Sequence, residues 1–185
     1  MNAYDLNNKM VVITGGAGGI GRAVASLAVA SGARVSLWDR NESELLRTVK
    51  ALDRDGANRV SFQLVDVTDE QAVARALAED VAVRGRIDAF VNNAGILGEV
   101  LPLWETDLGS FRRVIEVNLI GTYLCSRAVL KQMLGQPKNP MRGHVVNVAS
   151  IQGKEGMARS RPARARPRRS RATARGPDWC AARCR

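Results

Sequence analysis

Five glycines fall within residues 14–21, TGGAGGIG. Glycine has no Cβ, so the backbone can turn sharply there and come close to a bulky anion. The segment joins a short apolar run to a stretch of helical periodicity. It therefore sits at a helix N-terminus, where unpaired N–H groups favour a pyrophosphate. A glycine-rich turn also serves as a plain connection, so the acids that follow carry weight. Asp39 closes the next apolar run, where a carboxylate can accept hydrogen bonds from adenosine ribose hydroxyls. Asp66 closes the third run, at the same carboxyl edge where ligands bind. The alternative for each acid is a solvated loop residue, which this context makes the weaker reading. Asn92-Asn93-Ala94-Gly95 follows the fourth run.

These residues need elements to hold them. Residues 9–14 (KMVVIT), 33–38 (ARVSLW), 59–65 (RVSFQLV), 87–91 (IDAFV) and 143–149 (GHVVNVA) read as five short buried strands. Residues 20–31 have helical periodicity and stop at Gly32. Residues 42–53 form a second helix, ending near Gly56. Residues 69–84 form a third, with Thr68 as its N-cap and Gly85 as its stop. A long helical stretch covers residues 108–134. It carries apolar residues on more than one face, which suits packing on a partner subunit or on the core. Continuous apolar strands alternating with helices imply an α/β fold: a doubly wound, Rossmann-type parallel sheet, truncated after its fifth strand.

Charge divides the chain. Of 28 Lys and Arg against 18 Asp and Glu, residues 1–157 hold 18 and 17, whereas residues 158–185 hold ten Arg and one acid, Asp178. The basic pI belongs to that tail. No apolar run is long enough to span a membrane, and no basic flank leads into an apolar stretch at the N-terminus. No membrane partner is expected, and the cytoplasm is the expected location. Three cysteines (Cys125, Cys180, Cys184) do not make a disulfide framework. Cys180 and Cys184 lack the further ligands a metal site needs, so no metal is expected.

Residues 5–157 resemble the short-chain dehydrogenase/reductase family. The motifs that carry the likeness are Thr14-Gly15-x-x-x-Gly19-Ile20-Gly21, Asp66-Val67, Asn92-Asn93-Ala94-Gly95, Asn118 within Glu116-Val117-Asn118-Leu119, and Ser150 after Asn147-Val148-Ala149. The resemblance implies an NAD(P)-dependent oxidoreductase, moving hydride between the cofactor and a secondary alcohol or ketone. It implies that Gly15, Gly16, Ala17, Gly18 and Ile20 line the pyrophosphate. Asp39 would favour NAD, because a carboxylate repels the extra phosphate of NADP; Arg40 beside it weakens that preference, so NADP stays possible. Asp66 and Val67 would hold adenine, and Asn93, Ala94 and Gly95 would line the adenosine ribose side. Ser150 would hydrogen-bond the substrate oxygen, and Asn118 would help hold a water in a proton relay. Asn92 would bridge strands. The apolar members of residues 97–107 (Leu101, Leu103, Trp104) could wall the substrate site, as in relatives acting on 3-oxoacyl thioesters and on sugar-derived alcohols.

The same resemblance implies a tyrosine and, one helical turn later, a lysine beyond Ser150. The lysine lowers the tyrosine pKa, and the tyrosinate takes the hydroxyl proton. Ala163 and Pro167 stand at those positions. The tyrosines are Tyr4 and Tyr123, and no lysine follows Lys154. Tyr123 lies in the long helix and His144 begins a strand; both read as structural. Two regions are therefore expected: an incomplete dinucleotide-binding domain over 1–157, and an Arg-rich tail over 158–185. The tail is expected to be disordered or an out-of-frame translation of a GC-rich gene, and the chain as it stands to be inactive. A rival reading is a non-catalytic dinucleotide-binding protein whose basic tail binds acidic partners. Arginines with Trp179 as their one aromatic argue against nucleic acid. Family members form homo-oligomers on the long helix and the helix after it. The absence of the second makes an oligomer doubtful here. The fifth strand would be left as an edge with an uncovered apolar face.

Overall fold

The computed structural model describes residues 5–54, 56–138 and 141–150. The Arg-rich tail, Tyr4, Ala163, Pro167, Cys180 and Cys184 lie outside the described residues. Five strands, β1 (Met10–Thr14), β2 (Arg34–Asp39), β3 (Val60–Leu64), β4 (Ala89–Asn92) and β5 (His144–Asn147), form one sheet in the order β3-β2-β1-β4-β5. Every pairing is parallel. The helices between them are α1 (Gly19–Ala30), α2 (Glu42–Leu52), α3 (Glu70–Arg84), α4 (Leu108–Ile115) and α5 (Thr122–Gly135).

Side chains alternate across a strand, so a sheet covered on both faces needs apolar residues at every position. In β1, Val11 and Ile13 join the core beneath α1 and α2, with Ala25, Ala28, Val29 and Leu45. Met10 and Val12 join the opposite core, with Val73 and Leu77 of α3 and Cys125, Val129 and Met133 of α5. Among the described residues, no helix is long and apolar enough to cross a membrane.

Two details differ from the sequence expectation. The stop and start of α3 are set by Gly85, at φ 77°, and by Asp69, not Thr68; the Asp69 carboxylate accepts from the amides of Gln71 (2.8 Å) and Ala72 (3.0 Å). A carboxylate caps better than a hydroxyl because it also meets the helix dipole. Residues 108–134 are not one continuous α-helix either. A π-helical segment, Glu116–Gly121, separates α4 from α5. In it Val117 packs on the core and Gly121 lies against Val67, while Leu119 and, in α5, Tyr123, Leu130 and Leu134 stay exposed. Tyr123, read as structural, is 57% exposed in this chain. At the sheet edge, Val146 and Val148 of β5 and its extension are also exposed.

Candidate functional site

β1 and β4 are neighbours whose chains leave in opposite directions, one to each half of the sheet. The crevice outside their carboxyl ends is where an open α/β sheet takes ligands. The glycine turn fills this crevice from the β1 side. Gly15 has φ +62°, and a Cβ there would lie 2.9 Å from Ala94 Cα and 3.0 Å from Asn93 Nδ2. A Cβ on Gly21 would strike the Gly15 carbonyl. Both glycines thus let α1 start directly against the β1 and β4 ends. Thr14 and Asn93 lock the two ends together. Thr14 Oγ1 accepts from the Asn93 and Ala94 amides (3.0 Å each), and Asn93 Nδ2 donates to the carbonyls of Thr14 (3.0 Å) and Gly15 (3.1 Å). The Asn93 side chain therefore braces the turn; its neighbours Ala94 and Gly95 face the cleft.

From the β2 side, the Gly16 amide donates to the Trp38 carbonyl (3.1 Å) and the Ala17 amide to Asp39 Oδ2 (3.3 Å). Asp39 Oδ1 accepts from the Asn41 amide at 3.1 Å. The carboxylate is thus fixed at the mouth of the turn. Helices α2, α3 and α4 open on Asn41, Asp69 and Asp107, whose side chains cap them. Helix α1 opens on Gly18, with no side-chain cap and no acid in its first turn. A Cβ on Gly19 would meet nothing within 4 Å, and Ile20 is 63% exposed. An uncapped N-terminus bordered by open space is the donor set and the room that a pyrophosphate requires.

Gly15, Asp39, Asp66, Val67, Ala94 and Gly95 surround one cavity of about 120 Å³. Arg40 joins them, and so do Trp38, Val65, Ile96 and Val117, which sequence reasoning did not single out. Of these, Trp38 and Val65 carried a usable signal, since each abuts a strand-closing acid. Asp66 Oδ1 accepts from the Thr68 amide (2.9 Å) and hydroxyl (2.7 Å). Those two bonds hold its carboxyl below the ordinary value of 3.8; partial burial opposes them, and the Arg40 and Arg113 guanidiniums assist. Val67 is buried against Gly121, where a Cβ would lie 2.7 Å from Val67 Cγ2.

Asn118 and Ser150 stand at the same carboxyl edge but outside this cavity. Asn118 sits in the π segment, and its amide exchanges two bonds with Ile96: Oδ1 accepts from the backbone N–H (2.8 Å) and Nδ2 donates to the carbonyl (2.9 Å). This pairing ties the loop after β4 to the helix at the turn where the hydrogen-bond ladder widens. Ser150 follows β5 and is exposed. Asn92 bridges strands as expected, its Nδ2 donating to Asn147 Oδ1 (2.8 Å) and Ser126 Oγ (2.9 Å). In the loop after β4, Leu101 and Trp104 are exposed, the latter at 78%.

The model of the short chain dehydrogenase family matches residues 9–162. The 2-dehydro-3-deoxy-L-rhamnonate dehydrogenase (NAD(+)) of Sphingomonas sp. (strain SKA58) is 40% identical over 148 residues, covering 80% of this chain and 56% of that protein. Among solved structures, levodione reductase superposes with a TM-score of 0.76 at 35% identity, over 83% of this chain and 58% of its own. NAD+-bound xylitol dehydrogenase gives 0.78 at 31% identity, over 84% and 58%. The chain spans just over half the length of these proteins.

Proposed function

Since the chain belongs to the short-chain dehydrogenase family, we propose that its cleft binds NAD and forms the cofactor half of an oxidoreductase acting on a secondary alcohol or ketone. The carrying observation is the meeting of Asp39, the Gly16 and Ala17 amides and the uncapped start of α1 at one point of the crevice. The Gly18–Ile20 backbone would take the pyrophosphate. Asp39 would accept the adenosine ribose hydroxyls, and Val67 and Val65 would flank adenine with Asp66 at its edge. When bound, the nicotinamide supplies the hydride acceptor or donor. Asn118 would order a water beside the loop that it holds, and Ser150 would orient the substrate oxygen.

NAD is favoured over NADP on charge. The Asp39 carboxylate opposes a second phosphate on the ribose, and Arg40 offsets only part of that repulsion. The substrate is a small alcohol or ketone, and the exposed Leu101 and Trp104 supply an apolar wall. The cytoplasm fits this role. Ala163 and Pro167, where the family's tyrosine and lysine belong, cannot move a proton, so the chain is expected to bind cofactor without turning it over. General base catalysis is worth about 10²–10⁴-fold.

Calorimetric titration of the full chain with NAD and with NADP tests the reading. Saturable one-site binding, tighter for NAD, is the expected result. No heat and no thermal stabilisation with either dinucleotide would falsify it.

A further inference from the structure

We infer that Asp80, on α3 behind the sheet, is a positioning residue for the cofactor cleft and acts through the indole of Trp38. The inference rests on the reading of that cleft as an NAD site. Trp38 is held at both ends. On the back of the sheet its indole is fully buried, packs edge-on against Phe90 (centroids 5.4 Å apart, planes at 83°), and donates from Nε1 to Asp80 Oδ2 at 2.8 Å. On the cleft side its carbonyl receives the Gly16 amide, and its chain neighbour Asp39 receives the Ala17 amide. Any shift of Trp38 therefore moves both acceptors that hold the phosphate turn.

Packing alone does not call for a carboxyl here. Asp80 is 3% exposed, on the same buried side of α3 as Val73, Ala76 and Leu77. An apolar residue would serve that position without the cost of burying a polar group. The groups facing Asp80 are Trp38 and Ser36 from β2, Gln63 from β3 and Glu79 from its own helix. Burial pushes its carboxyl above the ordinary value, and the Trp38, Ser36 and Gln63 side chains oppose that rise. The indole N–H is the partner that ties this carboxyl to the cleft.

Three variants of the full chain separate this role from general packing: Asp80→Leu, which removes the acceptor; Asp80→Asn, which keeps an acceptor oxygen; and Trp38→Phe, which removes the donor and keeps the ring against Phe90. Asp80→Leu is expected to raise the NAD dissociation constant about tenfold, because the freed indole lets the acceptors of the phosphate turn drift from the positions that binding needs. Asp80→Asn should restore affinity to within about twofold of the unaltered chain on the same ground, and Asp80→Leu should cost nothing further in the Trp38→Phe background. The part of the indole emission of the unliganded protein that Trp38→Phe removes, and that therefore belongs to Trp38 rather than to Trp104 or Trp179, should shift in Asp80→Leu but not in Asp80→Asn. Unchanged NAD affinity in a folded Asp80→Leu overturns the role. If that variant does not fold, unchanged affinity in Trp38→Phe overturns it instead. If the unaltered chain itself fails to bind NAD, the cleft reading falls and this role with it. The emission comparison then still reports whether Asp80 holds the indole.

Discussion

At the scale of single residues, the cleft is built from side chains that spend their polar atoms on the backbone, the acids on N–H groups and Asn93 on carbonyls. Asp39 fixes Ala17 and Asn41, Asp66 fixes Thr68, and Asn93 fixes Thr14 and Gly15. In the proposed NAD site, Asp39 is the residue whose charge a ribose phosphate would meet. Two unit charges ~4 Å apart interact by about 1–4 kcal/mol between water and a protein surface. Asp39→Asn keeps an acceptor for one amide and removes the charge. The ratio of NADP to NAD affinity is expected to rise at least about tenfold, read by competitive titration of the two dinucleotides. An unchanged ratio would mean that the Asp39 charge does not set the preference. Asp39 and Asp66 were legible in the sequence because each closes an apolar strand. Trp38 was legible only as a strand residue, and Asp80 not at all, because its partner is 42 positions away and helix periodicity does not flag a polar residue on an apolar face.

At the scale of elements, the glycines of the turn divide into two kinds that composition cannot separate. A Cβ on Gly21 would overlap the Gly15 carbonyl and crowd Asn93, so Gly21→Ala must push α1 off the sheet. A Cβ on Gly19 meets only open space. Gly21→Ala is expected to destabilise the fold by about 1–3 kcal/mol and to lose NAD binding. Gly19→Ala should leave the fold as stable or more so, since alanine favours a helix by up to ~1 kcal/mol, yet weaken NAD binding by intruding on the pyrophosphate. Denaturant unfolding and calorimetry on the two variants check the contrast. The break between α4 and α5 was hidden for a related reason. The π segment shifts the hydrogen-bond ladder without interrupting the run of apolar residues, so periodicity read one helix. What marks it is Asn118, whose two bonds to Ile96 pull the loop after β4 onto that turn. Asn118→Ala removes both, at about 0.5–1.5 kcal/mol each. The Ile96 amide should then exchange hydrogen faster than the β4 amides, as hydrogen-exchange NMR would show.

At the scale of the whole molecule, the sheet lies between two apolar layers with the cleft at its carboxyl edge, and the polar groups within those layers decide how stability follows pH. Continuous apolar strands made the doubly wound sheet readable, because burial on both faces leaves no alternation to misread. The same burial makes Asp80 costly when charged. Its folded carboxyl lies above the ordinary 3.8, chiefly through burial. The folded state therefore binds the proton more tightly than the unfolded chain. That contribution to stability is fully present below 3.8 and is lost as pH rises through the folded value. Asp66 has the opposite sign. Its carboxyl is lowered, chiefly by the Thr68 amide, so its contribution is present above 3.8 and is lost as pH falls through the folded value. Asp66 is mostly exposed, and its share is small. Asp80→Asn removes the first dependence and keeps the second. The variant is expected to gain stability relative to the unaltered chain as pH rises from about 4 towards neutrality, and to match its acid limb below that. Urea unfolding of both proteins across this range decides it. A constant difference at every pH would mean that Asp80 holds no proton differently in the folded state, and its bond to Trp38 would then rest on a carboxyl that water reaches.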